Sequence, residues 1–325
     1  MPHTWQHVLA DHYSLPRADL AEQRTHHSDH YFLTSPQGRH VLSRYAHDPG
    51  RPPFDTQFLA LAALRQAGFD RVQLPIPTIQ GDHYATIGAD RWVLRRYTPA
   101  DLCADWTARP LVRHAATVLA DLHQAAAAAG PGLLPTLDPD DLTPFHWSVD
   151  DYIVRLDRTL GDFPWHTLDR AADHSLRSIL DWLTATATDV LSMAAKYDLV
   201  GLTHQDFRPA NLRVRHGQIV DVLDWDLTRT DHQMYDAAFA ALQYGGRECL
   251  FPDIDLELSN DFLRTYLARR NLSDLDREVP ELVPWMLRFT VCKRLLLGWH
   301  IPARLDLLAR LDHHYPVPGL RLPNG

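Results

Sequence analysis

Lysine is almost absent from this chain of 325 residues: of its 32 basic side chains only Lys196 and Lys293 are lysine. No lysine precedes position 196, so any phosphate clamp in the first half must use arginine, a planar fork rather than a point charge. Cysteine is equally sparse. Cys103, Cys249 and Cys292 are isolated from one another, which excludes a disulfide framework and zinc-type spacing and leads us to expect a reducing, cytoplasmic setting. No apolar run is long enough to span a bilayer, and the opening "MPHTWQHVLADHY" is too polar for a signal peptide; neither predicts a membrane partner. Net positive charge is also missing. The formal charge is −9 and the pI about 6.1, which argues against nucleic acid as a partner and is compatible with a cationic or metal–nucleotide ligand. Internal repeats and low-complexity tracts are not evident.

What is present is an ordinary globular composition, 45% hydrophobic, long enough for one large domain or two lobes. The stretch "YFLTSPQGRHVLSRY" (31–45) places two β-prone runs around the turn-forming "SPQG" and predicts a hairpin. "PFDTQFLALAALRQAGF" (53–69) has helical apolar spacing and a glycine stop at Gly68. "VQLPIPTI" (72–79) and "RWVLRRY" (91–97) read as two further strands. Beyond "YTPAD" (97–101) the pattern turns helical. Long helices are expected in "PLVRHAATVLADLHQAAAAAG", "SVDDYIVRLDRTL", "SLRSILDWLTATATDVLSMAAKY", "MYDAAFAALQYG", "SNDFLRTYLARR" and "LVPWMLRFTVCKRLLLGW". The expected organisation is a small β-rich lobe over 1–97 and a large helical lobe over 98–325.

The densest chemistry lies in "LTHQDFRPANLRV" (202–214), followed at 222–226 by "VLDWD". "LRV" and "IVDVL" flank the turn "RHGQ" and predict a short hairpin whose outer ends carry Asn211 and Asp224. Paired strands lie about 4.8 Å apart, so an amide oxygen and a carboxylate would meet at the hairpin mouth. Few oxygen donors with room for water and phosphate oxygens suit magnesium. Asp206, in the loop that leads into this hairpin, can face the same cleft as a base. Arg208 can reach a transferred phosphate.

The pattern His204-x-Asp206-x4-Asn211 with Leu223-Asp224-Trp225 resembles the catalytic loop and metal motif of kinase-fold phosphotransferases. The "DW" ending, the lack of a Gly-rich loop and the large helical half are most similar to the aminoglycoside phosphotransferase/choline kinase family, nearest its homoserine kinase and stress-response kinase branch. The resemblance implies an α+β, bilobal protein-kinase-like fold with an antiparallel N-terminal lobe and a helical C-terminal lobe. It implies transfer of phosphate from ATP or GTP, with Mg2+, to a hydroxyl of a small molecule such as an antibiotic, amino acid or sugar. By the same resemblance Asp206 is the catalytic aspartate and Arg208 lies near the γ-phosphate. Asn211 and Asp224 hold the metal, His204 braces the loop, and Tyr97 begins the hinge beside the nucleotide base.

The sequence departs from the family in one respect. Where a basic residue is expected in the second hairpin strand stands Ser43, with Arg44 next. Alternation sends these two to opposite faces. Arg44 is the candidate phosphate clamp, with Asp55 or Gln57 as its helical partner. A protein kinase and a non-catalytic pseudokinase are the alternative readings; a histidine-based metal hydrolase is a more distant one. Against the first stand "DWD" in place of "DFG" and no "APE"; against the second, the retention of Asp206, Asn211 and Asp224. Asp236 and His123 are expected to be buried hydrogen-bonding groups, and Asp226 to cap a turn. "HHSDH" (26–30) has metal-like spacing in a chain with 20 histidines, where such coincidences are common. The acidic "PDIDLEL" (252–258) reads as solvated surface.

Overall fold

The computed structural model describes residues 5–15, 17–25, 28–46, 54–101, 105–130, 134, 138–246, 254–298 and 301–317. The first part is built on one antiparallel sheet. Helix α1 (Trp5–Tyr13) precedes strands β1 (Asp19–Thr25), β2 (Asp29–Ser35) and β3 (Gly38–Tyr45); helix α2 (Phe54–Gln66) precedes β4 (Ala85–Ile87) and β5 (Asp90–Arg96). The strand order is β1-β2-β3-β5-β4. The β2–β3 hairpin turns where the sequence predicts, at Pro36-Gln37. Ser35 Oγ accepts from Gln37 N at 3.1 Å, and Gly38 takes a φ of 115° that a Cβ would disfavour. Helix α2 stops as expected at Gly68, φ 93°, with Phe69 N donating to Leu64 O.

Alternation gives the sheet two distinct faces. Tyr31, Leu33, Leu42, Trp92 and Leu94 pack under Val8, Leu9 and Tyr13 of α1. On the other face, Tyr45 and Val93 join Phe58 and Leu61 of α2 in the main core. Neither α1 nor β1 was anticipated. The expected strand 72–79 is largely extended coil, because Pro75 and Pro77 remove two ladder donors. Only Val72 forms a bridge, to Val222, and the strand that completes the sheet is β4.

The remainder is helical, with two short strand pairs around the loop of interest. Its elements are α3 (Arg109–Ala129), α4 (Val149–Val154), α5 (Leu156–Asp162), α6 (Arg170–Lys196), β6 (Val200–Thr203), β7 (Leu212–Arg215), β8 (Gln218–Val222), β9 (Arg229–His232), α7 (Gln233–Gly245), α8 (Leu256–Arg269), α9 (Leu275–Glu278), α10 (Leu282–Leu296) and α11 (Ile301–His314). The single helix expected over 148–160 is two, broken at Arg155 (φ −109°, ψ 21°). Strand β6 pairs with β9, and β7 with β8 as predicted. Helices α3, α7, α8 and α10 enclose the core, and every residue of α7 and α10 is buried. No described helix is long and apolar enough to cross a membrane.

The segment after β5 is tied down by named contacts. Thr98 Oγ1 donates to Asp221 Oδ2 at 2.8 Å and accepts from Gln73 Nε2 at 2.7 Å. Asp101 N donates to Val214 O, and His216 N to Asp101 Oδ2. Residues 97–101 are thus fastened to the β7–β8 hairpin. Burial raises Asp221 to about 6, against the opposing Thr98 hydrogen bond and the charges of Arg213 and Arg95. A carboxyl raised in the fold favours the folded state while it is neutral. That contribution is present below about pH 4 and is lost as pH rises through about 6, an effect on the order of 2–3 kcal/mol. Asp221→Asn can still accept from Thr98 but cannot ionise. Its stability relative to the unsubstituted protein is expected to rise between pH 4 and pH 7 in chemical denaturation; a difference independent of pH would contradict this reading.

Candidate active site

The loop 204–211 hangs from one buried carboxylate. Asp236, on the first turn of α7, has no exposed side-chain surface; its Oδ2 accepts from His204 N at 2.7 Å and its Oδ1 from Gln205 N at 3.0 Å. His123 Nε2 of α3 lies 3.2 Å from Oδ2, and His123 Nδ1 lies 2.8 Å from the Tyr266 hydroxyl. Burial, only partly offset by Asp236, pushes His123 below the usual histidine range. A neutral ring that donates from Nε2 and accepts from Tyr266 satisfies every atom. The expectation that Asp236 and His123 are buried hydrogen-bonding groups matches this geometry.

His204 joins the loop to the strand end that carries Asp224. Its Nε2 lies 2.9 Å from Leu223 O, and its Nδ1 accepts from Asp206 N at 3.3 Å. Burial lowers its pKa, which suits a neutral ring bridging two backbone groups. Trp225 packs against it at 4.7 Å between centroids. Two non-glycine residues of this site occupy left-handed backbone: Gln205 (φ 68°) and Asp224 (φ 62°). Such conformations cost free energy and persist where surrounding contacts enforce them. Asp236 and Leu223 O supply those contacts.

Asp206 stands in the centre. Its Oδ2 accepts from Asn211 Nδ2 at 2.8 Å and from Arg208 Nε at 2.9 Å, and Asn211 Nδ2 also donates to Asp206 O. This commits the amide nitrogen of Asn211 and leaves Oδ1 as its donor atom toward a cation. Leu223 N donates to Asn211 O at 2.8 Å, so the ends of the β7–β8 hairpin are adjacent and Asp224, which is exposed, follows immediately. One amide oxygen and one carboxylate are hard donors of the kind Mg2+ accepts. Tyr97 borders the linker: its ring lies under the Arg39 guanidinium at 3.9 Å and meets Phe32 edge-on.

Arg44 is elsewhere. In the sheet register it pairs with Trp92 and Asp29, on the face away from Tyr45, and its guanidinium is 2.7 Å from Asp90 and 3.4 Å from Asp29. The expectation that Arg44 turns toward the cleft is therefore corrected: alternation keeps it on the outer face, where two carboxylates hold it. Asp55 accepts from Tyr84 at 3.1 Å and is not its partner. Ser43 is buried and hydrogen-bonds His30.

Arg95 of β5 is a cation on the inner face that sequence reasoning missed. It pairs with Val41, two residues before Ser43, and its Nη1 donates to Tyr45 at 3.3 Å. Burial opposes its charge, but Tyr45, Asp226 and Asp221 outweigh this and hold the pKa above the ordinary arginine value. Asp226 acts on His30 and Tyr45 as well, which places its charge near the inner face of the sheet. The signal available in the sequence was the parity of β5, which puts Arg95 on the face of Val93. Of the "HHSDH" cluster, His26 and His27 lie outside the described residues, and among the described residues no three His, Cys, Asp or Glu converge as for a metal ion.

A small antiparallel sheet joined to a helical half, with an Asp–Asn loop and an acid-ended hairpin between them, is the architecture of protein-kinase-like phosphotransferases. Residues 23–282 match the phosphotransferase enzyme family, and the chain belongs to that family. No curated protein matches it in sequence. Among solved structures it is similar to the microcompartment-associated aminopropanol kinase (19% identity, TM-score 0.62, covering 97% of this chain and 98% of that one). It is also similar to amicoumacin kinase hAmiN in complex with AMP-PNP, Ca2+ and Ami (16%, 0.58, 96% and 93%). A third is choline kinase from Cryptosporidium parvum Iowa II (10%, 0.57, 93% and 88%). At these identities the likeness shows a shared fold.

The dependence of the loop on Asp236 is open to test. Asp236→Asn places an amide NH2 against one of two backbone donors and leaves a buried clash. A loss of about 2–4 kcal/mol in unfolding free energy is expected, with transfer activity falling as the loop loosens. Unchanged stability by urea denaturation would remove Asp236 from this role.

Proposed function

We propose that the protein transfers the γ-phosphoryl group of ATP to a hydroxyl of a small molecule, in a cleft between an N-terminal lobe over 1–97 and a helical lobe over 98–325. The observation that carries this reading is Asp206, held by Asn211 and Arg208 beside the hairpin end that bears Asp224. In phosphoryl transfer the protein mainly positions the reactants and neutralises charge. Asp206 would orient the acceptor hydroxyl and take its proton. Arg208, now paired with Asp206, would exchange that partner for the transferred phosphate. Asn211 Oδ1 and the Asp224 carboxylate would hold Mg2+, which supplies charge neutralisation on the nucleotide phosphates. Tyr97 and the linker after it would border the base. The family match supports the reaction class. A solved relative that binds AMP-PNP with Ca2+ supports a nucleotide donor with a divalent ion.

Arg95 takes the part first assigned to Arg44. It lies on the inner face of the sheet, close enough to feel Asp221 and Asp226. It is the group through which a small lobe without lysine would hold α- and β-phosphates, and its fork allows a bidentate contact.

Two measurements test these roles. Asp206→Asn is expected to lower kcat by about 10²–10⁴-fold while Mg–ATP affinity, followed by calorimetry, stays within about twofold of the original protein; turnover at the original rate would end the assignment. Arg95→Met and Arg44→Met form a contrast. The first should weaken nucleotide binding or slow transfer about 10- to 100-fold, the cost of one charged hydrogen bond, and the second should leave both within about twofold. A reversed order would return the clamp to Arg44.

A further inference from the structure

The face of the sheet that carries Arg95 also carries a histidine to which the proposed reaction gives no part. Tyr31 and Leu33 of β2 pack under α1, so alternation turns His30 and Phe32 the other way. Phe32 lies at the linker, where its ring meets Tyr97 edge-on. Two residues along a strand span about 6.6 Å, so His30 lies that far from Phe32 on the same face. The acid-ended hairpin is on this side. Asp226, two residues past Asp224, acts on the His30 charge, and Asp224 and Asp226 both act on Tyr45. A nucleotide with its base at Tyr97 and its phosphates on a cation at Asp224 therefore passes along this face.

The His30 ring is anchored at one nitrogen. His30 pairs with Ser43 in the β2–β3 register, and its Nδ1 lies 2.9 Å from Ser43 Oγ. Ser43 is 2% exposed, so its hydroxyl serves the ring rather than a ligand. The ring meets Tyr45 edge-on at 6.4 Å between centroids, and Tyr45 accepts from Arg95 Nη1 at 3.3 Å. His30, Tyr45 and Arg95 thus form one contiguous group on β2, β3 and β5. His30 is half-buried, and among the described residues its Nε2 has no hydrogen-bond partner. Nε2 is the nitrogen left for a ligand.

The charges around the ring are mixed. Burial first, and then Arg95, push His30 below the usual histidine range; Asp226 and Asp29 act the other way without offsetting them. Arg24, opposite His30 on β1, is paired with Glu22 at 2.6 Å and lies over Phe32. The ring is therefore neutral at pH 7 in the free protein. A phosphate beside Nε2 reverses the balance, because an adjacent anion favours the imidazolium. An imidazolium donates from both nitrogens, here from Nδ1 to Ser43 and from Nε2 outward, and a charged donor strengthens a bond to phosphate.

We propose that His30 is a nucleotide-binding residue: held by Ser43 and protonated, it donates from Nε2 to a phosphate oxygen, so that the nucleotide binds together with one proton from solvent. In a lobe that has no lysine, this adds to Arg95 a second cation, one that forms when the nucleotide arrives. The inference rests on the phosphotransferase reading, which places the phosphates between the sheet and Asp224.

Calorimetry on the full chain tests it, with Mg–ADP, Mg–AMP-PNP and, by competition, adenosine. Affinity of the original protein for both Mg–nucleotides should rise about tenfold as pH falls from 8.5 to 6.5, the effect of one histidine pKa raised by about one unit. Titrations in buffers of different ionisation enthalpy should show net proton uptake. His30→Asn keeps a polar atom for Ser43 and lacks Nε2. It should weaken Mg–ADP about 10- to 100-fold at pH 6.5, the cost of one charged hydrogen bond, and lose the proton uptake, with adenosine affinity within about twofold. His30→Gln reaches the Nε2 position with a neutral donor. It should recover part of the affinity and none of its pH dependence. Asp29, Asp226, Arg24, Arg95 and Tyr45 are common to all three proteins, so their titration cancels in the comparison. The pH slope of the original protein is readable even where a variant fails to fold, which circular dichroism reports. A flat pH profile of the original protein, Mg–ADP affinity in His30→Asn equal to the original, or an equal loss for adenosine would overturn the role of His30. With Mg–nucleotide binding and turnover intact, that result leaves phosphoryl transfer standing. No Mg–nucleotide binding by the original protein at any pH would overturn both.

Discussion

A single buried carboxylate organises the functional loop. Asp236 receives two consecutive backbone N–H groups, from His204 and Gln205, and a third contact from His123. Consecutive amides point the same way only if the chain is bent, and Gln205 accordingly adopts a positive φ. The bend carries Asp206 out of the core and toward Asn211. The strain is affordable because Asp236 is itself immobilised on a helix buried along its whole length. Helix α7 thus sets the geometry of a loop about thirty residues upstream.

His204 extends the same constraint to the second half of the site. Its ring spans from Asp206 N to Leu223 O, so loop and hairpin end move together. Asp224 then inherits a fixed place at the mouth of the β7–β8 hairpin. The linker at Thr98 and Asp101 is fastened to that hairpin too. The β-rich part is therefore connected to the loop through β8 as well as through the covalent chain.

Acids and bases are paired across the site. Toward the sheet, Asp221 and Asp226 act on Arg95; toward α10, the buried carboxylate of Asp231 offsets Arg229 and Lys293. A net charge of −9 says nothing of these local arrangements, because composition sums over the whole chain whereas a ligand meets only the field of one pocket.

Local chemistry was legible in the sequence. "HQDFRPAN" and "VLDWD" around a Gly217 turn specify a loop and a hairpin by short-range spacing alone, and the β2–β3 hairpin and the stop of α2 follow from turn and capping residues. Asp206, Arg208, Asn211 and Asp224 are brought together because fewer than twenty residues separate them. Strand 72–79 was misread because its alternation is apolar while its prolines deny it a ladder. Arg44 was misread because sequence spacing gives a residue's distance from its neighbours and only the sheet register gives its face. Asp236 was read as a buried hydrogen-bonding group, but its hold on the loop about thirty residues upstream, like the face that Arg95 takes, depends on contacts between distant segments. The sequence by itself determined which polar residues the loop and hairpin bring together; the tertiary structure decided which cations face them, because burial and register are properties of packed elements and not of the chain between them.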